Sequence, residues 1–164
     1  MVDAVATVIR DLVPADLEVV LSINQAARPG VGDLDMGRLQ QLCGWCAHAR
    51  VAVCDAVVVG YLLALEPGQP YGSVNYQYFE THLRDHVYVD RIAVAEVARG
   101  QGIGAALYAD LYAQVSGRPV TCEVNVVPMN AGSMRFHLRQ GFSSVGEQDT
   151  EGGDKRVSLL VRQD

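Results

Sequence analysis

Residues 94–104 read Val-Ala-Glu-Val-Ala-Arg-Gly-Gln-Gly-Ile-Gly. A β-branched run precedes them, and Ala, Leu and Tyr at helical spacing follow, so the glycines link a strand to the start of a helix. Glycine lets a backbone approach an anion closely, and the unpaired amides of a helix N-terminus add hydrogen bonds and a favourable dipole. Such a segment can cradle a pyrophosphate. Spacing separates two ligand classes. In a Rossmann dinucleotide site the first glycine sits at the strand end, and the last lies one residue further on than Gly104. Here five residues separate Val94 from Gly100, and position 105 is Ala. Glu123 lies about 20 residues on, as a ribose-binding acid would, but the loop spacing outweighs it. A CoA-type pyrophosphate fits better, and a nicotinamide-dependent oxidoreductase is a distant alternative.

Two blocks carry a family resemblance. Arg99-Gly-Gln-Gly-Ile-Gly104 resembles the Arg/Gln-x-x-Gly-x-Gly/Ala signature of the GNAT N-acetyltransferase superfamily. The stretch Asn130-Ala-Gly-Ser-Met-Arg-Phe-His-Leu-Arg-Gln-Gly-Phe142 is similar to that family's CoA-side helix. More narrowly, Val89-Asp-Arg-Ile92, Cys122-Glu-Val-Asn125, Gly132-Ser133 and Phe136-His137 resemble a little-characterised branch of predicted acetyltransferases. The resemblance covers essentially the whole chain. It implies one mixed α/β domain over residues 1–164, with a central twisted sheet splayed between strands 4 and 5 and flanked by helices. It also implies acetyl transfer from acetyl-CoA, in a ternary complex, to a primary amine of a small molecule or a protein. Backbone around Ile92, Ala93 and Val94 would pair with the pantetheine arm as an added strand does. Amides of Arg99, Gly100, Gln101, Gly102, Ile103, Gly104 and Ala105 would hold the pyrophosphate. Asn130 would contact the CoA arm, and Ser133 would add a hydrogen bond. Homodimers are common in the family resembled.

One position departs from the family. The residue after Phe136, commonly a tyrosine that protonates the departing thiolate, is His137. Imidazolium could donate that proton, or His137 could simply pack on the CoA-facing side of its helix. Its departure keeps open a second reading, a CoA-binding regulatory or interaction module with little chemistry. For the general base, Glu123 and Asp90 are the available carboxylates, unless each is structural. Tyr71, Asn75, Tyr76 and Tyr78 form an aromatic, amide-bearing stretch suited to a substrate-facing loop or to a lid on the core.

The elements around these residues follow from pattern. A strand over 7–10 and two helices, from Pro14 to Ala27 and from Asp33, open the chain. A hairpin over 51–54 and 57–65 follows, and residues 70–79 read as a loop leading into a short helix ending near Arg84. Strand 87–94, helix 102–115 and strand 120–127 make a strand–helix–strand unit. Helix 130–140 closes at Gly141, and strands 142–146 and 156–161 pair across a polar loop, 147–154.

Composition narrows the partners. The chain has 164 residues, a formal charge of −6 and a single lysine, Lys155, so it lacks the clustered cations that neutralise nucleic-acid phosphates. No export signal is apparent, and the longest apolar run, residues 56–65, is about half of what a membrane-spanning helix needs. A cytoplasmic enzyme without nucleic-acid or membrane partners is expected. Cys43-Gly-Trp-Cys46 has dithiol spacing, with His48 near, but it falls in a helical pattern. Cys54 and Cys122 do not form a second ligand pair. Ordinary buried thiols and no metal are expected.

Overall fold

A computed structural model describes residues 6–163. In chain order the elements are β1 (Val8–Asp11), α1 (Leu17–Ala26), α2 (Met36–Trp45), β2 (His48–Cys54), β3 (Val57–Leu65), α3 (Val74–His82), β4 (Val87–Val94), α4 (Ile103–Val115), β5 (Val120–Val127), α5 (Ala131–Arg139), β6 (Ser143–Thr150) and β7 (Lys155–Arg162). The strands form one mixed sheet of order β1-β2-β3-β4-β5-β7-β6, in which β4 and β5 run parallel. This is the α/β architecture expected from the sequence. No helix among the described residues is long and apolar enough to cross a membrane.

The elements group into two compact units. The first runs to Ala64 and includes Arg91–Gln114; the second comprises Leu65–Asp90 and the chain from Val115 onward. In the first, β1, β2 and β3 pair antiparallel. The run from Leu62 to Ala64 has no solvent exposure, as a strand buried on both faces must. Gly60 allows a close approach here. A Cβ at this position would stand 3.2 Å from the Ala93 carbonyl oxygen and 3.1 Å from Ile103 Cγ2, the first residue of α4. On β2, Arg50 holds Asp110 of α4 through Nε and Nη2, at 2.8 and 2.9 Å. The helix that begins at the glycine loop is therefore fixed from both β2 and β3.

The β2–β3 turn is Asp55-Ala56, with φ of 48° and 62°. Two left-handed residues define the tight turn whose twist matches a hairpin, and alanine is ill suited to that conformation. Ala56 is exposed. Ala56→Gly is therefore expected to stabilise the fold by about 0.5–1 kcal/mol, read as a higher midpoint in urea with an unchanged slope.

In the second unit, β5, β7 and β6 pair antiparallel, and β4 joins β5 at Val87↔Val120 and Tyr88↔Thr121. Arg118 donates to both oxygens of Glu66 and to Asp85, which holds the end of β3 and the α3–β4 connection to the start of β5. Three elements differ from the sequence expectation. The second helix starts at Met36 rather than Asp33, because Asp35 caps it by accepting from the Arg38 amide at 2.7 Å. Asn75, Tyr76 and Tyr78 lie on α3, not in a loop; Ser73 caps this helix by accepting from the Tyr76 amide. Finally, β6 continues to Thr150, so the first half of the expected polar loop is strand and the connection to β7 is short.

Candidate active site

The chain leaves β4 at Val94 and is tied to β3 by the Ala95 amide, which donates to the Val59 carbonyl at 2.7 Å. A 3-10 turn over Glu96–Ala98 follows, then Arg99, whose Nε donates back to the Val94 carbonyl at 3.3 Å. Gly100 and Gly102 have φ of 75° and 78°. A Cβ at either would meet nothing within 4 Å, so conformation rather than crowding demands glycine at these two positions. Ile103, Leu107, Tyr108 and Leu111 are buried and anchor α4, whose first amides lack intrahelical acceptors. An open, glycine-lined surface ahead of a fixed helix N-terminus suits a diphosphate.

In the second unit the structure gathers a set of tyrosines and carboxylates. Glu123 on β5 accepts at Oε2 from the Tyr88 hydroxyl of β4, at 2.7 Å. Asp90, two residues beyond Tyr88 and on the same strand face, accepts at Oδ1 from the Tyr71 hydroxyl, at 2.6 Å. Tyr88 has no exposure; burial, then the negative charge of Glu123, raises its hydroxyl well above the ordinary tyrosine range, so it stays a donor. Tyr76 sits between these pairs, with its ring centroid 5.5 Å from those of both Tyr71 and Tyr88. Its hydroxyl accepts from the Gln69 amide at 2.9 Å and donates to the Glu66 carbonyl at 2.8 Å, and burial pushes it up to about 12.

On α5, Asn130 is the N-cap, accepting at Oδ1 from the Ser133 amide at 3.2 Å. His137 is 3% exposed. Its Nδ1 lies 2.8 Å from the Ser133 carbonyl oxygen, which can only accept, so Nδ1 carries the proton in the neutral ring. The Ser133 hydroxyl lies 3.3 Å from the same nitrogen. Burial lowers the His137 pKa, so the ring is neutral at neutral pH. Rings of Phe136 and Phe142 stand edge-on to it.

His86 is also fully buried and depressed by desolvation, and its Nε2 has no hydrogen-bond partner among the described residues. Both histidines thus bind a proton more readily in the unfolded chain, where the group titrates near 6.5. Their contribution to stability is complete above that pH and is lost as pH falls through it toward their lower folded values. Unfolding free energy measured in urea is expected to decline as pH drops from about 7 to 5, and His86→Leu is expected to flatten that decline.

The sequence candidates are thus distributed as follows. Ile92, Ala93, Val94 and the loop from Arg99 to Ala105 belong to one unit. Asp90, Glu123, Tyr71 and Tyr76 cluster in the other, where Tyr76 is core rather than wall. Asn75 is 8% exposed and accepts from Gln148 Nε2 at 2.9 Å, which ties α3 to β6. Tyr78 stacks on His82 and lines a separate groove of about 300 Å³ with Phe79, Val145 and Val161. The residue that sequence reasoning missed is Tyr88; its place two residues before Asp90 was the available signal. Among the described residues no group of three or more metal-ligating side chains comes together.

The sequence model of the acetyltransferase (GNAT) family matches residues 17–142, and the chain belongs to that family. Members of this family acetylate amine acceptors, small-molecule or protein. Among solved structures, Ard1 from Thermoplasma volcanium matches with a TM-score of 0.78 at 19% identity, over 98% of this chain and 100% of that one. NAA60 of Arabidopsis thaliana, in complex with a bisubstrate analogue, matches at 0.76 and 21% identity, over 96% and 98%. The ribosomal-protein-S18-alanine N-acetyltransferase of Escherichia coli matches at 0.73 and 16%, over 96% and 94%. At these identities the likeness is one of fold. A search of curated protein sequences finds no match.

Proposed function

We propose that this chain transfers an acetyl group from acetyl-CoA to a primary amine by direct attack in a ternary complex. The observation that carries the reading is the pair of left-handed glycines, Gly100 and Gly102, ahead of a firmly anchored α4 in a chain of the GNAT family. Amides from Arg99 to Ala105 hold the pyrophosphate, and the backbone of Ile92, Ala93 and Val94 pairs with the pantetheine arm. Asn130, which caps α5, contacts the CoA arm, and Ser133 adds a hydrogen bond to it.

Acetyl-CoA supplies an acyl group activated as a thioester. An amine reaches a protein at neutral pH as an ammonium and must lose a proton before its lone pair can attack. Glu123, held by the Tyr88 phenol, takes that proton, directly or through a water. Asp90 orients the same ammonium. After the C–N bond forms, a second proton must leave nitrogen and one must reach the departing sulfur. His137 is neutral, so it has to gain a proton before it can give one, and it serves as a relay between nitrogen and sulfur rather than as a standing acid.

The test is thiol release and mass analysis with acetyl-CoA and a panel of amines. The panel contains a polyamine, an aminoglycoside, free amino acids and a peptide with N-terminal alanine. Acetylation of at least one amine, dependent on enzyme, is the expected result. Acetyl-CoA binding with no amine turned over would instead identify a CoA-binding module.

A further inference from the structure

We propose that Tyr71 is a positioning residue that acts through Asp90 rather than a wall that touches the acceptor. This rests on the reading above, in which Asp90 orients the ammonium. Tyr71 precedes α3, in a segment with no strand partner, and such a residue would ordinarily be mobile. Here its segment is fixed at several points. The Tyr76 hydroxyl takes the Gln69 amide and gives to the Glu66 carbonyl. The Gly68 amide donates to Glu80 Oε1, and Arg118 grips the Glu66 carboxylate. The Tyr71 amide donates to the Gln69 carbonyl at 2.8 Å, and its ring packs against Tyr76. A strap pinned at this many points delivers one hydroxyl to one carboxylate oxygen, 2.6 Å away. A hydrogen bond to an ionised acceptor is short and directional, so it selects one rotamer of Asp90.

The arrangement parallels that of Tyr88, on the same strand as Asp90, with Glu123 on the neighbouring β5, but the two donors differ in kind. Tyr88 is core and comes with the sheet, whereas Tyr71 comes with a connection. The geometry of Asp90 is therefore set by the strap, and sequence changes at 66–73 would act on the acceptor side of the reaction through that carboxylate.

A double-mutant cycle tests this with the full chain and the best amine from the panel. Tyr71→Phe keeps the ring and removes only the hydroxyl; Asp90→Asn keeps the shape and removes the charge. Each single variant is expected to lower kcat/KM for the amine about 10-fold or more, while the KM for acetyl-CoA stays within about twofold. In the Asp90→Asn background, Tyr71→Phe is expected to add less than about twofold. Thermal midpoints confirm that all four proteins are folded. Multiplying effects would mean that Tyr71 contacts the acceptor by itself and would overturn the proposal, as would an unaffected Tyr71→Phe or Asp90→Asn enzyme. Should Tyr71→Phe unfold, Tyr76→Phe, which loosens the strap while leaving the Tyr71 hydroxyl, is expected to show the same dependence on Asp90, and independence overturns the proposal. A wild-type protein that takes no acetyl-CoA brings down the transferase reading itself, a result separable from any outcome of the cycle.

Discussion

Gly102→Val is expected to leave the protein folded and to raise its dissociation constant for acetyl-CoA by at least 100-fold. With φ of 78°, position 102 lies where L-residues are disfavoured by about 1–2 kcal/mol, and a β-branched side chain is worse placed than most. The chain can relieve that strain by rotating the peptide units that lead into α4, which turns their amides away from a diphosphate. Losing two hydrogen bonds to a charged ligand costs about 3 kcal/mol or more, which exceeds two powers of ten in affinity. Gly152→Val is the matched control. It carries a similar φ of 67° in the β6–β7 connection, with nothing within 4 Å of the added carbon, and should lose some stability but no affinity. Isothermal titration of both variants with acetyl-CoA makes the comparison.

Glu123→Gln is expected to reduce kcat by about 10²- to 10⁴-fold, the usual contribution of a general base, while acetyl-CoA affinity stays unchanged. Glutamine keeps the side-chain shape and still accepts from the Tyr88 hydroxyl, so the fold should hold. What it removes is the site for the ammonium proton. Tyr88→Phe should cost less, about 10-fold, because the carboxylate survives but loses one charge-assisted hydrogen bond of its support. Raising the pH, which supplies more of the neutral amine, should recover part of the Glu123→Gln loss. Steady-state kinetics at pH 7 and 9 read both effects. A Glu123→Gln enzyme with full activity at pH 7 would remove this residue from the chemistry.

The site was legible where its chemistry is local. Gly100 and Gly102 declare a left-handed backbone in the sequence itself, and the flanking apolar patterns gave β4, α4 and β5 within a residue or so of their ends. Elements whose stability comes from packing were harder to see. The α3 segment, Val-Asn-Tyr-Gln-Tyr-Phe-Glu-Thr-His, mixes amides with aromatics and has no clear apolar stripe; it is a helix because Ser73 caps it and because Tyr76 and Phe79 are buried. The polar stretch at 147–150 reads as a loop, yet it is a strand paired with β7, with a register shift between Ser144 and Gly146. Tyr88 lies in Val87-Tyr-Val89, an apolar run that looks like plain core. Its hydroxyl acquires meaning only through Glu123, 35 residues away in sequence. Tyr76 is open to two readings in sequence, since an aromatic with a polar tip suits a pocket wall and a lid on the core equally well, and the fold buries it fully.

Central to this account is the assignment of the glycine loop to the diphosphate of CoA. Thermal unfolding of the wild-type chain with acetyl-CoA, CoA and NADH in separate titrations tests it most directly. A ligand at about 100 times its dissociation constant stabilises the folded state by about 2.7 kcal/mol, well above the error of a melting curve. The account predicts a rise in midpoint with acetyl-CoA and with CoA and none with NADH. A rise with NADH alone, or with none of the three, would contradict it.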